Sequence, residues 1–233
     1  MSMISVCLTT YNGEAYLLEQ INSILSQLNE NDELIISDDG STDKTKVLIS
    51  ELNDIRIKFL NNKNKNGICS NVENALNHAK GDIIFLADQD DVWLPNKVKI
   101  FSEALKNNDL VVSDCYVTDR DLNIIHESFY KLKNYQTNKW KALLRNPYLG
   151  CCMAFNRSVL QKSIPFPDNI PMHDIWIGNV AAFNFRVRFI PEKLIYYRRH
   201  GLNSSTASEP SIASFFQQIK FRTSIIEGLI KLK

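Results

Sequence analysis

Asp88, Asp90 and Asp91 place three carboxylates within four residues. Like charges this close repel, so solvent or a cation must offset them. Hard oxygen ligands of this kind suit Mg2+ or Mn2+, ions that commonly bridge protein carboxylates to substrate phosphates. The competing reading is a solvated acidic turn ahead of a helix starting near Asn96. Asp38-Asp39-Gly40-Ser41 is good turn chemistry anywhere, and its functional reading has Asp39 accepting from a base N–H of a nucleoside. His173-Asp174 opens a helix, where Asp is a favoured first-turn residue. It would equally serve as a general base beside a cleft walled by Trp176. His200 ends the run Tyr196-Tyr197-Arg198-Arg199-His200, and its spacing leaves a structural role and metal ligation both open.

The elements that position these groups follow from hydrophobic periodicity. Met3–Leu8, Glu33–Ser37, Ile55–Leu60 and Ile83–Ala87 read as strands. Leu17 to Leu28, a segment capped by Thr42 or Asp43, and Val72 to Ala79 read as the helices between them. This alternation predicts a parallel sheet with helices on both faces, whose ligands sit outside the carboxyl ends of the strands. Thr9–Gly13, Asp38–Ser41 and Asp88–Asp91 all occupy such ends. The second half reads as mixed. Strands are expected at Leu110–Thr118, Ile124–Phe129, Gly150–Phe155, Arg186–Ile190 and Leu194–Arg198. Helices are expected at Lys139–Leu144, Arg157–Lys162, Ile175–Phe183 and over the last 23 residues.

The composition excludes several classes. The 233 residues carry 27 Lys+Arg and 26 Asp+Glu, a net charge of +1, which argues against a nucleic-acid-coating protein. With 44% apolar and 23% charged residues the chain is ordinary for a globular domain. No run approaches the 18 apolar residues of a membrane span, and Met1–Gly13 reads as strand and turn instead of a leader. Five scattered cysteines without a C-x-x-C pair point to a reduced, cytoplasmic setting. Phosphate-cradling G-x-G-x-x-G and P-loop motifs are absent, as is the G-x-S-x-G elbow.

Ser5 to Asn12, Ser37 to Asp43 and Ala87-Asp88-Gln89-Asp90-Asp91-Val92-Trp93-Leu94-Pro95 resemble family 2 glycosyltransferases of the GT-A fold. Gly150 to Arg157 and His173-Asp174 match that family's acceptor half, so the likeness covers roughly residues 3–200 in order. The D-Q-D-D-V-W-L-P form is similar to a bacterial rhamnosyltransferase-like subgroup of surface-polysaccharide pathways. The resemblance implies a GT-A domain over 1–205, with a nucleotide-sugar half at 1–95 and an acceptor half at 96–205. A C-terminal amphipathic helix at 206–233 would follow. It further implies an inverting enzyme with a nucleoside-diphosphate sugar donor and a glycan or lipid-linked acceptor. Thr9, Tyr11, Asn12 and Asp39 would hold the nucleotide-sugar, and Asp88 would reach its ribose or a water on the metal. Asp90, with His200, would ligate Mn2+ or Mg2+. Asp174 would be the base, and Gly150 and Trp176 would border the acceptor.

Two departures stand out. Thr9 replaces a usual Pro, implying a less rigid strand end. Ser70-Asn71-Val72-Glu73-Asn74 lacks the usual Arg, leaving Lys63, Lys65 or Arg198 as candidates for the diphosphate. Alternatives to transfer are a nucleotidyltransferase and a catalytically silent sugar-nucleotide-binding module. In the C-terminal helix, Ile212, Phe215, Phe216, Ile219, Ile226 and Ile230 form one apolar stripe, expected to be seated on the domain. Phe221, Ile225 and Leu232 form a second stripe, expected to dock peripherally on the inner face of the plasma membrane, or against a second subunit in a homodimer.

Overall fold

Every residue of Ile4–Thr10 (β1) and Glu33–Asp38 (β2) is buried, as are all but the last of Ile83–Asp88 (β4). Strands covered on both faces are what a parallel sheet between helices requires. The computed structural model describes residues 2–64, 66–135, 137–143, 145–201 and 215–232. β1 pairs in parallel with β2 and β4, and Ile57–Asn61 (β3) extends the edge beyond β2. The crossovers are Leu17–Leu25 (α1), Thr45–Ser50 (α2) and Ile68–His78 (α3). The register sets Thr9 opposite Ser37 on one side and Asp88 on the other. The three polar clusters therefore emerge at one end of the sheet.

The sheet continues without a break into the second half. Met153–Asn156 (β8) runs antiparallel to β4 and to Leu110–Thr118 (β6). Val187–Arg198 (β9) is parallel to β6, and Val92–Trp93 (β5) is antiparallel to β9. The order is β3-β2-β1-β4-β8-β6-β9-β5, with Ile124–His126 (β7) on β6. Lys97–Leu105 (α4), Phe129–Lys133 (α5), Lys139–Ala142 (α6), Arg157–Ser163 (α7), His173–Asn184 (α8) and Phe215–Lys231 (α9) complete the chain. This is the expected α/β architecture, a mostly parallel sheet with helices around it and a helix at the C-terminal end.

Three local expectations change. The two strands expected at 186–198 are one, because the β6 ladder passes from Ile190 directly to Lys193. The bulge takes up Pro191, which has no N–H to give. The strand expected to reach Phe129 ends at His126, where Ser128 caps α5 by accepting from the Lys131 N–H. Gly150–Cys152 is a 3-10 turn, and the strand starts only at Met153.

The face that α9 presents is reversed. Ile225 is buried and Leu232 packs on the core, whereas Ile219, Ile226 and Ile230 of the other stripe are exposed. The cause is Gly228. A Cβ there would lie 2.6 Å from the Trp176 ring, so only the glycine side lets the two helices approach this closely. Phe221 stays 39% exposed at the margin, but a docking surface built on Ile225 does not exist. Ile212 and the side chains of Phe215 and Phe216 lie outside the described residues.

Candidate active site

The ends of β1, β2 and β4 are tied by amides. Asn71 is buried on α3. It accepts from Ser37 Oγ at 2.6 Å and donates to the Thr10 and Ser37 carbonyls. Gln89 accepts from Thr10 Oγ1 (2.6 Å) and the Tyr11 N–H (2.9 Å) and donates to the Tyr11 carbonyl. The strand end without proline is thus clamped, not loosened. Asn12 holds the adjacent turn, since its N–H donates to Ser41 Oγ and its Oδ1 accepts from the Thr42 N–H. Thr9 is buried, while Tyr11 is 56% exposed and open to stack on a planar ring. Asp39 accepts from Asn62 Nδ2 and the Gly67 N–H, each at 2.8 Å, so it also holds the β3–α3 loop.

The acidic cluster sits one strand away. Burial and the neighbouring Asp90 and Asp174 charges raise the Asp88 carboxyl to about 7. Asp90 lies 2.9 Å from His200 Nε2, through its Oδ2. His200 in turn lies against the Tyr16 ring at 4.8 Å, and the Arg198 guanidinium covers the same ring at 4.6 Å. Asp91 is fully buried. Its Oδ1 accepts from the Arg198 N–H, and its Oδ2 has no hydrogen-bond partner among the described residues.

An orphaned carboxyl oxygen on Asp91, beside an Asp88 carboxyl that burial and like charges push upward, marks a crowding of negative charge. The cluster therefore fits a divalent cation. Asp88, Asp91 and Cys151 each bring a ligand atom within 4.8 Å of the others. Burial raises the Cys151 thiol well above its usual range, so it stays protonated and a poor ligand for a hard ion. Oxygen donors from the aspartates remain.

Asp174 lies in the first turn of α8 and is 7% exposed. It is not the helix cap, since Met172 holds that position without a side-chain bond. Burial lifts its carboxyl to about 6, against the pull of the Ile175 and Gly150 N–H groups. Gly150 is needed there, because a Cβ would lie 2.8 Å from His173 Nε2. Burial pushes His173 down to about 4, so the imidazole is neutral.

Two expected site residues lie elsewhere. Trp176 is fully buried, and its indole N–H donates to the Ser163 carbonyl at 2.7 Å. It is a core residue beneath α9 and cannot wall an open cleft. Trp176→Ala is expected to cost about 3–5 kcal/mol of stability. Any remaining folded enzyme should keep its acceptor KM, and denaturant melts beside kinetics would check both. Arg198 is 4% exposed; it donates to the Asp90 and Arg120 carbonyls and to Glu19. It braces the acidic loop and is unavailable to a diphosphate. Lys63 is exposed, and Lys65 lies outside the described residues.

Sequence reasoning missed Gln89 and Lys97. Gln89 had a signal, as the one amide among three acids. Lys97 had none. It is fully buried, donates from Nζ to the Cys151 carbonyl at 2.7 Å and lies over Trp93. Its charge partly offsets that of Asp88.

Residues 5–164 match the family described as glycosyl transferase family 2. Over 190 residues the chain is 31% identical to the Escherichia coli UDP-Glc:alpha-D-GlcNAc-diphosphoundecaprenol beta-1,3-glucosyltransferase WfgD, covering 78% of this chain and 73% of that one. Residues 1–349 of Staphylococcus aureus TarS, in complex with UDP-GlcNAc, superpose with a TM-score of 0.72 at 20% identity, covering 97% of this chain and 66% of that one. The mannosyltransferase PcManGT from Pyrobaculum calidifontis, in complex with GDP-Man and Mn2+, gives a TM-score of 0.64 at 17% identity, over 99% of this chain and 74% of that one. At these identities the two structures show that the fold is shared.

Proposed function

The chain belongs to glycosyl transferase family 2, and on that premise we propose that it transfers a sugar from a nucleoside-diphosphate donor to a hydroxyl of a lipid-linked saccharide, with inversion. Glycosyl transfer itself follows from the membership. The finer assignments rest on one observation above all: the carboxylate of Asp174, buried in the first turn of α8, lies near enough to Asp88 for its charge to act on that carboxyl. A hydroxyl acceptor needs a base aligned opposite the leaving group, and one carboxylate suffices for a single displacement.

Thr9, Tyr11, Asn12 and Asp39 line the donor end, Tyr11 offering its face to a base. Asp88 would reach the ribose or a water on the ion, and Asp90 with His200 would hold the ion. The bound ion would stabilise charge on the departing diphosphate. An imidazole in the set favours Mn2+ over Mg2+. Gly150 borders the acceptor side, where its N–H holds the Asp174 carboxylate and its missing Cβ makes room for His173. WfgD acts on UDP-Glc and a GlcNAc-diphosphoundecaprenol by its name, which supports UDP-hexoses as first donors to test. Such an acceptor would place the work at the inner face of the plasma membrane, as part of surface-polysaccharide assembly. The five free cysteines suit that reducing side. No helix among the described residues is long and apolar enough to cross a membrane.

A panel of UDP-, GDP- and dTDP-sugars assayed for slow hydrolysis with Mn2+ tests the donor side. Release of nucleoside diphosphate from a UDP-hexose is expected; formation of UTP and hexose 1-phosphate from the UDP-hexose once pyrophosphate is added would instead identify a nucleotidyltransferase, which leaves Asp174 without a role. The base adds a pH signature. Asp174 accepts a proton only when ionised, and its carboxyl stands at about 6. Turnover is therefore expected to fall about tenfold per pH unit below that value and to level off above it. A flat profile through this range would remove Asp174 from the role of base.

A further inference from the structure

The helix carrying Asp174 is flanked by two exposed apolar features that donor binding does not use. Near its start, Trp176 packs under Gly228 of α9. From that seat α9 turns Ile219 (40% exposed), Ile226 (43%) and Ile230 (64%) outward. Near its end, Phe183 meets Trp140 of α6 edge-on at 5.0 Å. Trp140 is 63% exposed, whereas Trp93 and Trp176 are buried. Trp176 and Phe183 stand two helical turns apart, so α9 and α6 pack against the same face of α8.

Charge is concentrated on this side. Between Glu127 and Asp168 the sequence has no acidic residue. Within that stretch Lys131, Lys139, Lys141 and Arg145 are exposed. Lys139 Nζ lies 5.9 Å from the Trp140 ring centre and 5.1 Å from that of Phe183. On α9, Lys220 and Lys231 flank the isoleucines against one carboxylate, Glu227. A chain whose net charge is +1 therefore gathers cations where Trp140 and the exposed isoleucines of α9 lie. A two-fold contact with a second copy would set these cations against themselves. An anionic bilayer complements both features, since tryptophan and cation-flanked amphipathic helices favour its interface.

We propose that Trp140, Lys139 and Lys141 of α6, with the Ile219–Ile226–Ile230 strip of α9, form one surface that docks on an anionic lipid bilayer. Docking sets the first turn of α8 at the lipid–water boundary, where a lipid-linked saccharide presents its hydroxyl. That consequence rests on the acceptor reading above; the docking does not.

The test uses the full chain with vesicles of phosphatidylglycerol and phosphatidylcholine, or of phosphatidylcholine alone. Co-sedimentation is expected only with phosphatidylglycerol, and the tryptophan emission should shift to the blue as Trp140 leaves water. High salt should weaken binding at least about tenfold. The triple variant Trp140→Ser, Ile226→Ser, Ile230→Ser should weaken it equally, as should Lys139→Glu with Lys141→Glu. Both variants change exposed side chains outside the donor site and should keep full donor hydrolysis. Undiminished sedimentation of both variants would overturn the proposal. So would a wild-type dimer that ignores vesicles and becomes monomeric in the triple variant, which would make the strip a subunit contact. Vesicle binding without hydrolysis of any nucleotide-sugar would uphold the docking and overturn the donor reading alone.

Discussion

Asp174→Asn is expected to cut turnover by at least roughly 100-fold while leaving nucleotide affinity nearly intact. Asparagine is close to isosteric, and its carbonyl oxygen can still accept from the Ile175 and Gly150 N–H groups that hold Asp174. It cannot take a proton from an acceptor hydroxyl. Stability separates this loss from misfolding. The folded carboxyl stands at about 6 against an ordinary value of 3.8, so its ionised form is the disfavoured one. The resulting penalty is fully present above about pH 6 and disappears below the ordinary value. The asparagine variant should therefore melt no lower than wild type at pH 7, and any gain should vanish in acid. Steady-state kinetics, nucleotide calorimetry and melts at two pH values check the three parts. Equal loss of donor binding would make Asp174 a donor or metal group.

Asp90→Ala should reduce transfer below about 1% of wild type and remove the metal dependence of nucleotide binding. The physical reason is shared charge. Asp90 reaches His200 at 2.9 Å, and the two side chains would together hold an ion that a diphosphate also needs. His200→Ala should weaken metal dependence less, because the charged ligand Asp90 remains. Calorimetry with a nucleoside diphosphate, with and without Mn2+, reads both variants. Full activity of Asp90→Ala in the presence of chelator would show that the ion is held elsewhere or not used.

The parts of the site legible in sequence are those set by local chemistry. β1, β2 and β4 are buried on both faces, so their apolar runs and polar ends mark both the strand and its carboxyl end. The adjacency of Thr9 and Asp88 follows once the sheet is parallel. What stayed hidden depended on contacts between distant segments. Arg198 looks like a phosphate ligand, yet Glu19 and the Asp90 carbonyl, far away in sequence, claim its guanidinium. Trp176 beside Asp174 looks like a cleft wall until α9 covers it. α9 carries two apolar stripes, and periodicity cannot choose between them. The choice is made by Gly228, whose missing side chain matters only because Trp176 is opposite. Lys97 is a helix-surface lysine by pattern, and only the packing of α4 under the Gly150–Cys152 turn buries it.

The central claim is a single displacement at the anomeric carbon by a hydroxyl that Asp174 deprotonates. Its most direct test is the anomeric configuration of the product formed from an α-linked UDP-hexose and a lipid-linked saccharide, read by NMR. The account predicts a β linkage, formed together with UDP. An α linkage would require a second displacement or a different geometry of attack, and would contradict it.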